Sequence, residues 1–211
     1  MPLRLSLERH RREIALALTL AVLAGVGVGA ALALSRSSAA SSPSRLRAQV
    51  QWPAKVRQAP PFRLVDQRGR WVSLTTVHGK KVLLTFLDSR CKGMCPLEGK
   101  ELAAVGRGRA PAERPVLLVV SVDPWADTPQ SERVFAARAR WQFRWHWLNG
   151  SERALRAVWR KYLIAVKPTQ ADVSHSAALY LIDGDGSERA GYLAPLRAAD
   201  IISDIRTLAS S

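Results

Sequence analysis

The chain has 211 residues, 47% of them hydrophobic, with a formal net charge of +15. That length suits one ordinary domain with extensions. The charge points to nucleic acid, an anionic membrane or an acidic partner. Yet the basic residues are scattered from Arg4 to Arg206, with no RNA-binding signature and no Cys/His finger spacing. The residues therefore favour scattered arginines on a solvated surface and exclude a nucleic-acid binder; an acidic docking partner stays open.

Residues 1–13 form a basic N-terminus with Arg4, Arg9, Arg11 and Arg12, and Ile14 to Leu34 follows without a charge. At ~1.5 Å per residue this run extends ~32 Å, enough for a ~30 Å hydrocarbon core. Only Arg36 lies just beyond it, so the positive-inside rule puts the N-terminus in the cytoplasm and the rest outside. Ala31-Leu32-Ala33 offers a signal-peptide cleavage site, but the run exceeds the ~7–15 residues of a signal core. Arg11-Arg12 is a weak match to a twin-arginine export signal. The expectation is a single-pass anchor over 14–34 in the cell membrane, with the C-terminal domain on the extracytoplasmic side.

Residues 35–58 read as a flexible tether. They open on the small polar stretch Ser35 to Pro43 and contain only Trp52-Pro53 as an anchor-like feature. Ala59-Pro60-Pro61 opens the folded domain, 59–211. Phe62 to Val65 and Trp71 to Leu74 flank a Gly69 turn and predict a hairpin. Val82 to Leu87 and Val116 to Val122 are nearly continuous apolar runs, as in strands buried on both faces. Between them, Pro96 to Val105 suits a helix with Pro in its first turn. Thr128 to Trp141 predicts a second helix, capped by Asp127 or Thr128. Phe143 to Trp147 alternates as a short strand.

Ser151 to Leu163 predicts a third helix with Leu155, Val158, Trp159 and Tyr162 on one face. Ala177 to Ile182, the Asp183-Gly184-Asp185-Gly186 turn and Ala190 to Leu193 make another hairpin, and a last helix runs from about Arg197 to Leu208. A βαβ unit followed by a hairpin and a helix is an α/β, thioredoxin-like plan: a mixed central sheet flanked by helices, with an extra N-terminal hairpin.

Both cysteines of the chain, Cys91 and Cys95, fall in "FLDSRCKGMCPLEG", between a buried strand and a helix. That junction is where α/β folds place their ligands. Three uses are open: a staple, a redox pair or a clamp for a soft metal. A loop this short restricts the unfolded chain little, and a domain of about 150 residues buries enough surface to need no staple. Redox pairs normally take the shorter Cys-x-x-Cys spacing. Two thiolates with an imidazole would suit Cu(I), and the thiolates also serve Cu(II) or zinc. The helix N-terminus and Lys92 predict that at least one thiol has its pKa lowered below the ~8.5 of a free cysteine, with Glu98 opposing them.

A metal site needs a third ligand, and the chain has four histidines. His10 lies on the cytoplasmic side of the anchor. His78 sits in a Gly-Lys turn and reads as solvated. His146 alternates away from Trp145 and Trp147 and reads as a surface or edge residue. His175, in "ADVSHSAALYLID", precedes a sheet strand, and on the thioredoxin plan that loop packs against the start of the cysteine-bearing helix. Met94 offers a further sulfur, but a packed or solvated Met is the commoner case.

The sequence resembles the Sco/SenC family of copper-handling, thioredoxin-like assembly factors of cytochrome c oxidase. The resemblance rests on "FRLVDQRGRWVSL", "GKKVLLTFLDSRC", the Cys91-x-x-x-Cys95-Pro96 motif, "VVSVDPWADTP", "WLNGS" and "DVSHSAALYLIDGDG", from about Ala59 to Leu208. It implies one copper ion held by Cys91, Cys95 and His175. It also implies delivery to the copper site of the oxidase's copper subunit or of another exported copper protein, or reduction of that site's cysteines. The chain departs from the family at Lys92, where members typically carry Pro, and at Asp88-Ser89-Arg90, where they carry Thr-x before the first cysteine. The ligand set is intact; the changed loop bears on affinity, redox potential and client.

Four functions compete. A membrane-tethered copper metallochaperone needs Cys91, Cys95 and His175. An exported thiol–disulfide oxidoreductase needs only the redox pair Cys91 and Cys95. A peroxiredoxin-like peroxidase lacks the Pro-x-x-x-Thr-x-x-Cys spacing. A purely structural module predicts cysteines indifferent to metal and reductant.

Overall fold

The structure, a computed structural model, describes residues 45–107, 113–169 and 173–209. The expected anchor over 14–34 lies outside the described residues, among which no helix is long and apolar enough to cross a membrane. The strands are β1 (Val50–Gln51), β2 (Leu64–Asp66), β3 (Trp71–Val72), β4 (Val82–Leu87), β5 (Val116–Ser121), β6 (Trp145–Asn149), β7 (Val166–Pro168), β8 (Val173–His175), β9 (Ala178–Ile182) and β10 (Glu188–Leu193). The α-helices are α1 (Cys95–Gly106), α2 (Pro129–Ala139), α3 (Glu152–Lys161) and α4 (Ala198–Thr207).

One mixed sheet runs β1-β10-β9-β4-β5-β6-β2-β3, and β7 pairs with β8 in a separate ribbon. β4, β5 and β6 are parallel, while β9 joins β4 and β2 joins β6 antiparallel. Every residue of β4 and β5 is buried, because helices cover both faces. Leu83, Leu87, Leu117 and Val119 face one core with Leu102 of α1, Phe135 of α2 and Ile201 of α4. Val82, Leu84, Phe86, Leu118 and Val120 face the other, closed by Leu155, Val158 and Trp159 of α3 with Tyr162. The uniform apolar runs thus hide a two-residue alternation between two cores.

Local chemistry sets the helix ends. Thr128 caps α2 by accepting from the Ser131 backbone N–H, and Ser151 caps α3 by accepting from that of Ala154. Gly99 lets α1 and α2 approach closely: a Cβ there would lie 2.9 Å from the Phe135 ring.

The structure departs from three expectations. The described end of the expected tether packs on the domain: Ala48 is buried, β1 extends the sheet edge on β10, and the Trp52 ring lies over Gly191. The strand expected over 143–147 is β6, two residues later. His146 is buried, because β2 pairs alongside β6 and brings Asp66 to it. There the His146 Nδ1–H donates to Asp66 at 2.9 Å, and His146 Nε2 accepts from Arg144. Burial pushes the imidazole pKa down, opposed by Asp66. Asp66 itself is buried, yet hydrogen bonds from Arg70, His146 and Arg68 hold its carboxyl well below the usual range.

Candidate metal centre

β4 ends at Leu87 and α1 begins at Cys95, so the cysteines sit at the C-terminal end of a parallel strand. The loop between them is tied down. Ser89 donates its backbone N–H to Asp127 Oδ1 at 2.9 Å, and its hydroxyl lies 2.6 Å from that of Ser131. Asp127 also accepts from the Ser121 hydroxyl at 2.6 Å and the Trp147 indole N–H at 3.2 Å. One half-buried carboxylate therefore ties the loop to β5 and β6, and the Ser89–Ser131 contact ties it to the start of α2. The sequence marked Asp127 only as a candidate helix cap, a role Thr128 takes; the partners of Asp127 come from the cysteine loop, β5 and β6.

Cys95 is the first residue of α1 and 1% exposed, whereas Cys91 on the loop is half-buried. Both are thiols rather than a disulfide. The Gly93 backbone N–H donates to Cys91 Sγ at 3.4 Å. The Cys95 side chain is hydrogen-bonded to Cys91, and that bond together with burial pushes the Cys95 thiol well above its ordinary value. The expected lowering therefore does not hold at Cys95. The helix end does favour a thiolate there, but the sulfur is buried and shares its proton with a neighbouring sulfur that already attracts it.

His175 ends β8, and the β7–β8 ribbon that carries it was not legible in the sequence. Its Nδ1 lies 3.0 Å from the Ser176 carbonyl oxygen. A carbonyl only accepts, so Nδ1 carries the hydrogen and the neutral ring presents its lone pair at Nε2. Nε2 stands 3.5 Å from Cys95 Sγ. A histidine whose second nitrogen is fixed by a backbone carbonyl is the usual arrangement of a metal ligand.

The structure therefore links the three expected residues in series, Cys91 to Cys95 to His175. Among the described residues no three His, Cys, Asp or Glu side chains form a ready-made cage. Of the remaining candidates, His78 is exposed in the turn before β4, at the opposite end of that strand. His146 is engaged with Asp66, His10 lies outside the described residues, and Met94 is 45% exposed at the α1 N-cap.

Glu98, one turn into α1, was read only as an opposing charge. It is 2% exposed, and neither of its oxygens takes a hydrogen bond from a described residue. Burial, and then the charge on Cys91, push its pKa up from 4.5 to about 7.

Residues 51–210 match the family model described as SCO1/SenC. The chain is similar to a Stutzerimonas stutzeri protein described as copper-binding, 31% identical over 159 residues that cover 72% of this chain and 76% of the relative. Among solved structures it is similar to Bradyrhizobium japonicum ScoI with copper bound, 26% identical with a TM-score of 0.57, covering 71% of this chain and 98% of that one. It is also similar to BsSco, described as a member of the Sco family of cytochrome c oxidase assembly proteins with a disulfide switch. That match is 26% identical with a TM-score of 0.61, over 75% of this chain and 97% of that one.

Proposed function

The chain belongs to the SCO1/SenC family, and from that premise we propose that it is a membrane-anchored copper metallochaperone. Its domain works on the extracytoplasmic side of the membrane, where it delivers copper to the copper subunit of a respiratory oxidase or prepares that site. The observation that carries this reading is the 3.5 Å approach of Cys95 Sγ to the lone-pair nitrogen of His175, with Cys91 hydrogen-bonded to Cys95. The copper bound in B. japonicum ScoI and the copper-binding description of the S. stutzeri relative support the cargo. The oxidase-assembly description of BsSco supports the client. Residues 14–34 supply the anchor and the segment after them the tether.

Copper is the cargo, and Cys91, Cys95 and His175 hold it. The two thiolates suit Cu(I), and the imidazole extends the site to Cu(II). Cys95 gives up its proton when the metal binds, so loading releases protons and weakens as pH falls.

Titration of the reduced protein with each copper state tests the assignment. His175→Ala weakens Cu(II) more than Cu(I), Cys91→Ser or Cys95→Ser damages both, and His78→Ala changes neither. A His175→Ala protein that binds both states like the parent contradicts the copper site. The contact between the two thiols favours one second reading, a thiol–disulfide oxidoreductase using Cys91 and Cys95 alone; it gains ground if that variant also keeps full thiol–disulfide activity.

A further inference from the structure

A pocket of about 200 Å³ opens beside Cys91, between the loop, α1 and α2. Its apolar floor is Pro96, Phe135 and Ala139, and four cations ring it: Arg90, Lys92, Lys100 and Arg138. All four are exposed, and none forms an ion pair with a described residue, although Arg57, Arg70, Arg156, Arg189 and Arg197 do so elsewhere on the domain. No acidic residue lines it. The acids nearest in sequence are engaged elsewhere: Asp88 is buried and accepts from the Arg90 backbone N–H at 2.7 Å, Glu98 is turned into the core, and Glu101 accepts from the Ala198 backbone N–H at 2.7 Å.

We propose that this pocket docks an acidic, cysteine-bearing segment of the protein with which the chain exchanges copper or thiols. The proposal rests on the reading of Cys91 as an exchanging sulfur. Four cations around one thiol in a low-dielectric recess concentrate an anionic partner and repel a cationic one. The volume favours a docked segment over an independent small molecule. It is below the ~300–1,000 Å³ of small-ligand sites and suits one or two side chains, so the remaining affinity comes from the surface around it. Exposed Met94 and Leu97, on the turn that carries Cys95, offer apolar contact there. The excess of basic over acidic residues beyond residue 34 acts in the same direction at longer range.

Exchange with model peptides reads the pocket directly. The probes are symmetrical disulfides of ten-residue peptides, each with one cysteine flanked by Asp and Glu, by Asn and Gln, or by Lys. The Cys91 thiolate attacks one probe sulfur, forming a mixed disulfide and expelling the first peptide as a thiolate. The Cys95 thiolate then attacks Cys91 Sγ, closing the protein disulfide and expelling the second peptide thiolate. The two protons given up by the protein thiols end on the two peptide thiols.

With the reduced full chain at low ionic strength, the acidic probe should react roughly tenfold or more faster than the neutral one, and the Lys probe more slowly still. The acidic-to-neutral ratio should shrink with added salt. In Lys100→Glu/Arg138→Glu it should fall to one or below, and in Lys100→Gln/Arg138→Gln to an intermediate value. Using the ratio cancels any change in the intrinsic reactivity of Cys91. An undiminished ratio in the charge-reversed variant overturns the proposal. So does a charge preference seen with oxidised glutathione but not with the peptides, which would assign the pocket to a small anionic thiol. Copper titration of the same variants keeps the two claims apart. Failure of the ratio test with copper binding intact defeats the pocket alone, while failure of copper binding in the parent defeats the metal reading and leaves the exchange test standing.

Discussion

Glu98 is the most strained electrostatic choice beside the two cysteines. Its carboxyl is buried without a hydrogen-bond donor and its pKa is raised to about 7, first by burial and then by the charge on Cys91. A raised carboxyl binds its proton more tightly in the folded than in the unfolded chain. Its contribution to stability is therefore complete below the ordinary value of 4.5 and is lost as pH rises through about 7. A shift of that size corresponds to about 3 kcal/mol. Urea unfolding of Glu98→Gln against the reduced parent should give similar stability near pH 4.5. The variant should gain by about 3 kcal/mol as pH climbs past 7. Taking the difference removes the opposite trend from His146, whose lowered pKa costs stability as pH falls, and the parallel trend from Glu132, also raised to about 7 by burial. A difference that stays flat with pH would contradict the buried-carboxyl account.

Among the elements, the packing of α1 on α2 holds the cysteine loop in place. Gly99 permits that approach, and the Trp141 indole N–H donates to its carbonyl at 2.8 Å. Gly99→Ala should destabilise the domain by roughly 1–3 kcal/mol through overpacking against Phe135. Thermal unfolding measures this, and an unchanged or raised midpoint would show that the contact is slack. The elements legible in the sequence are those whose signal is local. β4 and β5 are long apolar runs, α1 carries Pro96 in its first turn, and Thr128 and Ser151 mark the starts of α2 and α3. β1 escaped because its partner β10 lies far away in the chain, and β7 and β8 because, without the apolar flanks and Gly69 turn that marked β2 and β3, strands so short carry no measurable alternation. His146 was misplaced for the same reason: alternation gave its face of β6 but not that β2 would cover it. His175 was legible as a site candidate through the topology, whereas its fixed tautomer was not. That depends on a single hydrogen bond to the next residue's carbonyl.

At the scale of the whole molecule, a cationic domain carries a sulfur–imidazole site at one end of its parallel strands, behind the proposed anchor. Membrane fractionation should leave the full-length chain in the membrane, with the domain open to protease from the extracytoplasmic side. A soluble mature chain beginning near Ser35 would assign residues 14–34 to a cleaved signal instead. The central claim is that Cys91, Cys95 and His175 hold one copper ion together, although the structure links them only in series. X-ray absorption at the copper edge of the copper-loaded protein tests it most directly. The account predicts two sulfur donors with an imidazole nitrogen, and loss of that nitrogen in His175→Ala with both sulfurs retained. A spectrum unchanged by His175→Ala, or one without sulfur, would contradict it.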